Sequence, residues 1–251
     1  MSESITTVDK SKERVRAMFG EIAPKYDFLN NLLSVGLAPR WRRLFVTEVF
    51  KRVATNGERA IETLDVATGT GDVVIEEKRQ WAKRERRDSK TPVLKIIGVD
   101  FTPEMLELAR KKAPDLEFQE ADGCALPFEN DRFDAVTISF GLRNMSDPER
   151  GVAEMARVCR PGGVVAILEF APTKFPLFAP IFRFYFHRIL PAIGRRLAHD
   201  SIDAYRYLPE SVDAFDSRDA VLGYMRANGL TNATWRSMTF GVLGLFIGEK
   251  K

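Results

Sequence analysis

With 251 residues, 45% of them hydrophobic and 29% charged, the chain carries enough apolar content for one substantial core and is neither disordered nor membrane-spanning in composition. A net charge of +3, from 38 basic and 35 acidic residues, is a weak balance for a nucleic-acid binder. Cys124 and Cys159 are too few and too isolated for a disulfide framework or a zinc site, and the first ten residues lack an apolar signal core, so a cytoplasmic setting without a metal is expected.

Residues 10–22 place Val15, Met18, Phe19 and Ile22 at helical spacing, which predicts an amphipathic helix stopped by Pro24. A second apolar set, Phe28, Leu29, Leu32 and Leu33, leads to Gly36. A third helix starts after Pro39 with Trp41, Leu44, Phe45 and Val49 inward. Together residues 1–56 read as an N-terminal helical cap. Between its first two helices, Tyr26-Asp27-Phe28-Leu29-Asn30 interleaves polar and apolar groups. Asp27 either caps the second helix or, with Tyr26 and Asn30, faces a ligand.

Residues 57–251 read as one further unit in which strand and helix patterns alternate. Strands are expected at 63–67, 94–99, 116–119, 133–139 and 164–170, with helices from Asp72, at 103–112 and at 148–159. Such a series implies a mostly parallel sheet with helices on both faces. A helical insertion at 171–212 follows, with an aromatic helix at 181–190; a helix at 217–228 and strands at 231–240 and 242–248 close the chain. The charged run at 76–90 holds seven bases and four acids, and is read as a solvated face in preference to a phosphate or lipid-headgroup site.

The stretch Asp65-Val66-Ala67-Thr68-Gly69-Thr70-Gly71-Asp72 runs from a strand through two glycines into a helix, the arrangement that brings backbone N–H groups to a nucleoside ligand. Val74 stands where a dinucleotide fingerprint needs its third glycine, and no Lys-Ser/Thr pair follows as a phosphate loop requires. What remains is the short Asp-x-Ala-x-Gly-x-Gly turn of S-adenosylmethionine sites, so Asp65, Gly69, Thr70 and Gly71 are cofactor candidates. Asp100 ends the next strand, where a carboxylate can accept from both ribose hydroxyls; Thr102 is expected to cap the following helix and so to free it. Asp122 and Gly123 follow the third strand, positioned to meet adenine, and Ser139 ends the fourth near the topological switch point.

Three longer motifs sharpen this. Thr137-Ile138-Ser139-Phe140-Gly141-Leu142-Arg143-Asn144, the 26–37 segment with Trp41 after it, and Asp203-Ala204-Tyr205-Arg206-Tyr207-Leu208-Pro209-Glu210-Ser211 resemble the signature of the ubiquinone/menaquinone biosynthesis C-methyltransferase family, over nearly the whole chain. The resemblance implies a Rossmann-like class I methyltransferase fold, a seven-stranded sheet and methyl transfer from S-adenosylmethionine to a ring carbon of a prenylated quinol. It carries cofactor positions onto Thr70, Asp100, Asp122, Gly123 and Ser139. The chain departs from the family at Ala67-Thr68, where Ala-Gly is frequent, and at Asp122-Gly123, where Asn-Ala is frequent; Asp accepts hydrogen bonds only, so the adenine contact differs in detail.

An aromatic carbon becomes nucleophilic when the neighbouring phenol loses its proton, so the site must favour a phenolate. Arg143 is the candidate oxyanion partner and Asn144 the candidate for orienting the ring; the plainer readings are an Arg143–Asp147 ion pair and a loop hydrogen bond. Asp27, Tyr26, Tyr205 and a water are candidates for the proton acceptor, with Asn30, Tyr205 and Tyr207 as substrate contacts. His187 and His199 read as packed or surface residues. The aromatic stretch 175–190 is either core or homodimer surface, or else an apolar wall for a prenyl tail on the inner face of a membrane. Two rival functions stay open at this level: methylation of another small molecule, and a nonenzymatic subunit of a quinone-biosynthesis complex. Nucleic-acid methylation is disfavoured, since no Asn-Pro-Pro-Tyr type motif follows the fourth strand.

Overall fold

The computed structural model describes residues 9–55, 59–171, 184, 188 and 202–251, with the side chains of residues 29, 32, 33 and 202–206 outside that description. The apolar, β-branched segments pair into a seven-stranded sheet of order β3-β2-β1-β4-β5-β7-β6, built from β1 (Ile61–Val66), β2 (Leu94–Asp100), β3 (Glu117–Glu120), β4 (Phe133–Ser139), β5 (Cys159–Phe170), β6 (Leu230–Met238) and β7 (Leu243–Lys250). β3 to β5 pair in parallel; β7 runs antiparallel to β5, with Ile167 opposite Phe246, and β6 antiparallel to β7. The chain order reverses direction across the sheet between β1 and β4, which leaves a crevice at their C-terminal ends.

The central strands are buried on both faces, as parallel strands covered by helices must be. Alternate residues of β1 and β4 point to opposite layers. Leu64, Val66, Val136 and Ile138 pack with Val152 and Met155 of α6 (Pro148–Val158) and with Val221 and Met225 of the helix Arg218–Ala227. Ala135, Val164, Ala166 and Leu168 meet the opposite layer, where Trp41, Phe45 and Val49 of α3 (Ala38–Phe50) pack with Trp81 of α4 (Asp72–Glu85). α5 (Pro103–Lys112) closes a third cluster with Val74, Ile96 and Phe118. Leu44, expected inward on α3, is exposed, and Val46 takes the buried position instead: the helix presents Phe45, Val46 and Val49 to the sheet as a tighter stripe.

Before the sheet, α1 (Lys12–Ile22) ends in the tight turn Ala23–Lys25 around Pro24, and α2 (Tyr26–Leu33) follows. Ile22 and Ala23 pack on Met105 of α5, and Val15 and Met18 on Tyr207 of α7 (Ile202–Asp213). Arg16 pairs with Glu120 at 3.1 Å, and Lys12 pairs with Asp122, so α1 lies across the C-terminal edge of β3. The final helix, α8 (Arg218–Ala227), is capped by Ser217, whose hydroxyl accepts from Ala220 N.

Helix α4 begins at the glycine turn and runs back to the edge of the sheet where β2 starts. The charged run therefore emerges at the far end from the crevice: residues 85–90 are exposed, and Arg84 is engaged with the Trp81 ring and the Phe50 carbonyl. No helix among the described residues is long and apolar enough to cross a membrane.

Candidate active site

The glycine turn is shaped by two backbone requirements. Gly69 and Gly71 hold φ of 57° and 82°, and a Cβ on Gly71 would stand 3.2 Å from both Ala109 Cβ and the Phe118 ring. Gly71 also occupies the cap position of α4. Asp100 fastens the turn from the neighbouring strand: one carboxylate oxygen accepts from Gly69 N at 2.8 Å and the other from Thr102 N at 2.9 Å. Thr102 sits at the start of α5 as expected but makes no side-chain capping bond, so the reason given for a free Asp100 fails. Asp100 nonetheless keeps unused acceptor capacity on each oxygen, because a carboxylate oxygen accepts two hydrogen bonds. Burial pushes its pKa up, partly offset by the two backbone donors.

A cavity of about 740 Å³ opens here, lined by Gly69, Asp100, Asp122, Gly123, Ser139 and Asn144 together with Lys12, Phe19 and Tyr26 from the N-terminal helices. Ser139 Oγ and Asn144 Oδ1 are buried without a hydrogen-bond partner, and a Cβ on Gly123 would come within 2.3 Å of Met145 Cε. Unpaired buried polar atoms at a cavity wall fit a polar nucleoside ligand. Asp122 holds Lys12 and accepts from Cys124 N.

Three cofactor candidates do not reach this cavity. Asp65 is buried one layer down in β1, where it accepts from Thr137 Oγ1 at 2.7 Å; burial pushes its pKa up to about 7. Thr70 is turned away and donates to Asp27 at 2.7 Å while accepting from Lys112 Nζ at 2.8 Å. Gly71 serves the turn and α4. Asp27 goes with Thr70: it is the second residue of α2, neither its cap nor a wall of the cavity, and its carboxylate meets Lys112, which also contacts Asp72 at 3.0 Å. α2 is thereby tied to α4 and α5.

A second cavity, of about 810 Å³, adjoins the first, and Phe19, Tyr26 and Phe140 line both. Its walls are largely apolar: Met18, Ile22, Trp41, Phe170 and Leu208. Asn30, Arg143 and Tyr207 supply polar groups. Tyr207 Oη is buried and unpartnered. Burial pushes the Tyr26 and Tyr207 hydroxyls above their ordinary pKa, so both remain protonated at neutral pH. Phe140 sits between the cavities at φ 59°, a left-handed conformation that costs a bulky residue about 1–3 kcal/mol and marks a position fixed by its surroundings. Those surroundings are the Trp41 and Phe170 rings and the Leu168 carbonyl that its N–H meets.

Arg143 is not paired with Asp147. Asp147 caps α6 by accepting from Arg150 N, and Arg143 instead donates to Glu169 at 2.7 Å. Glu169 has no solvent exposure and was not singled out in the sequence. Its signal was present as the one charged residue of Val164-Val165-Ala166-Ile167-Leu168-Glu169-Phe170, at the C-terminal end of a parallel strand. Asn144 Nδ2 does make the loop hydrogen bond, to Phe140 O at 3.2 Å, and its Oδ1 stays unpaired toward the first cavity. The Tyr205 side chain, both histidines and the 175–190 stretch, except positions 184 and 188, lie outside the described residues. Among the described residues there is no cluster suited to a metal ion.

A doubly wound sheet with its glycine turn at the switch point, closed by an antiparallel β6–β7 hairpin and opening into a cavity with carboxylates at the strand ends, defines a class I methyltransferase. A solved structure of a possible histamine N-methyltransferase from Thermotoga maritima, described as dependent on S-adenosylmethionine, superposes with a TM-score of 0.59 at 17% identity, over 94% of this chain and 100% of that one. The chain belongs to the ubiE/COQ5 methyltransferase family, whose profile matches residues 6–250. A Geobacter sp. protein named ubiquinone/menaquinone biosynthesis C-methyltransferase UbiE is 44% identical, over 95% of this chain and 97% of its own. A demethylmenaquinone methyltransferase from Deinococcus radiodurans is 42% identical, over 95% and 93%.

Proposed function

We propose that this enzyme methylates a ring carbon of a prenylated quinol, with demethylmenaquinol as the acceptor, and that the two cavities divide the labour. Both named relatives carry menaquinone in their names, which supports a naphthoquinol. The observation that carries the reading is the junction of a polar cavity at the glycine turn with an apolar one that contains a buried guanidinium, across Tyr26 and Phe140. S-adenosylmethionine supplies a sulfonium-bound methyl group. Asp100 accepts from its ribose, Asp122 and the backbone at Gly123 meet the adenine, and Ser139 and Asn144 offer the unpaired polar atoms near the junction.

In the second cavity the quinol ring packs among Trp41, Phe140 and Phe170, with its oxygen toward Arg143. A free phenol ionises near about pH 10, so an oxyanion partner is needed to bring the phenolate into the working range. Attack by the activated carbon forms the new carbon–carbon bond as the sulfur–methyl bond breaks and the sulfonium becomes a neutral thioether. The ring carbon then loses its hydrogen as a proton, restoring aromaticity, so one proton is released per turnover. The described lining of the second cavity contains no Asp, Glu or His, which favours water as the proton acceptor over a side chain. Tyr26, held protonated, donates to the quinol or the donor instead of acting as base.

Incubation with methyl-labelled donor and either a short-chain demethylmenaquinol or a benzoquinol precursor tests the reading by product mass spectrometry. One added methyl on the naphthoquinol ring is expected. Donor binding by calorimetry with no methylated product from either acceptor would sink the quinol assignment while leaving the donor site standing. Contact with a membrane surface, which a prenylated substrate favours, is part of the same proposal and is read by flotation with lipid vesicles.

A further inference from the structure

From Val164 on, strand β5 is apolar on both faces until Glu169, and a carboxylate without solvent exposure is costly unless its oxygens are engaged. They are. Oε1 accepts from Arg143 Nη1 at 2.7 Å and from Phe170 N at 2.9 Å, and Oε2 accepts from Arg143 N at 3.2 Å. Glu169 therefore grips Arg143 by side chain and backbone at once. Nη1 also donates to Phe140 O at 2.5 Å, and the guanidinium carbon lies 5.3 Å from the Phe170 ring centroid. One side of the guanidinium is thus committed to the protein, whereas Nε is buried with no partner and the residue lines the apolar cavity. An arginine needed only to hold the loop would spend its donors on the loop; here Nε is left unpaired.

We propose that Glu169 is a positioning residue for methyl transfer, fixing the Arg143 guanidinium at the apolar cavity and setting, through its charge, the pH at which the bound quinol ionises. This rests on the reading of Arg143 as oxyanion partner. The pair is neutral as a whole, so a neutral quinol enters without meeting a bare cation in an apolar wall. On ionisation the phenolate lies on the Arg143 side, with Glu169 behind it and opposing in part. Among the described residues, the other charged or ionisable groups facing the pair or lining its cavity are Lys10 with Asp216 beside it, Arg42, Tyr26 and Tyr207. The tyrosines stay neutral through the working range, burial lowers the Lys10 pKa, and Arg42 is paired with Asp72, so among these groups the negative charge set against the phenolate is that of Glu169. Loss of that charge leaves Arg143 a full cation and favours the phenolate further, moving ionisation to lower pH.

The test is the single-turnover rate constant against pH with saturating donor and short-chain demethylmenaquinol, for wild type, Glu169→Gln, Glu169→Asp and Arg143→Ala. Donor affinity by calorimetry and thermal unfolding report on the fold. Glu169→Gln is expected to lower the midpoint of the rising limb by about one pH unit and the plateau about tenfold or more, with donor affinity within about threefold of wild type. Glu169→Asp keeps the charge but shortens the reach; it is expected to hold the wild-type midpoint and lose plateau rate. An unmoved midpoint in a folded Glu169→Gln overturns the proposal, as does a wild-type plateau in Glu169→Asp, which decides the matter if Glu169→Gln does not fold. Normal turnover in Arg143→Ala refutes the oxyanion reading itself; lost turnover there with an unmoved Glu169→Gln midpoint refutes only the role of Glu169.

Discussion

The two cavities are built in opposite ways. The polar one is walled mainly by strand ends and the loops that follow them: Gly69 after β1, Asp100 at the end of β2, Asp122 and Gly123 after β3, Ser139 at the end of β4. Much of what it offers is backbone, and its position follows from the parallel topology. The apolar one is assembled from side chains of α1, α2, α3, the 140–143 turn, the end of β5 and α7. It exists only because helices distant in sequence converge. A common fold can thus keep a donor site while the acceptor changes with the helices laid over it.

The strongest way to break this division is Arg143→Ala. If the cavities act separately, turnover falls about 10²- to 10³-fold while donor affinity, read by calorimetry, holds. A matching loss of donor affinity would show the division to be wrong. Stability will drop as well, since an unpaired buried Glu169 costs about 3–5 kcal/mol, so the comparison is made below the unfolding transition. Asp100→Ala is the converse: donor Kd is expected to rise about a hundredfold, from lost charge-assisted hydrogen bonds, with acceptor KM little changed at saturating donor.

A third prediction concerns the layer beneath the donor cavity. Glu77 is buried against Thr63, whose hydroxyl donates to it at 2.7 Å, and burial pushes its pKa up to about 8; Asp65 lies nearby with about 7. From the ordinary carboxyl range up to these values the folded chain holds protons that the unfolded chain has released. Stability is therefore complete at low pH as far as these groups go, falls as pH rises from the ordinary carboxyl range through 7 to 8, and levels off above. Glu77→Gln should flatten that decline in Tm between mildly acidic and neutral pH, below about 8; an unchanged slope there would refute the assignment. The smallest effect is expected from Lys112→Met, which frees α2 from α4 and α5. These are partly exposed pairs, worth at most about 1 kcal/mol each, so donor affinity should weaken no more than about fivefold, and less at high salt.

Local pattern was enough wherever one segment decides its own structure. The helix Pro103–Lys112 and the strand Phe133–Ser139 match their expected bounds, and the glycine turn sits where its spacing placed it. Where a second segment decides, reading along the chain fell short. β5 begins at Cys159, not Val164, because Cys159 pairs with Phe133 across the sheet before the register shifts. Thr70 was read as a cofactor contact and Asp27 as a helix cap or a ligand contact; in the structure they bond to each other across 43 positions, with Lys112 as the third member. No periodicity encodes that triangle.

The sequence alone determined the alternating strands and helices, the donor turn and the family, because these depend on residue periodicity, on glycine's access to positive φ and on motifs read in order. The tertiary structure decided that β7 enters between β5 and β6, that α2 leans on Lys112, and that Arg143 is held by Glu169, 26 residues away, and not by Asp147 four residues on. A buried charge takes the partner that the fold brings within reach, and only the closed sheet brings the end of β5 beside the turn after β4.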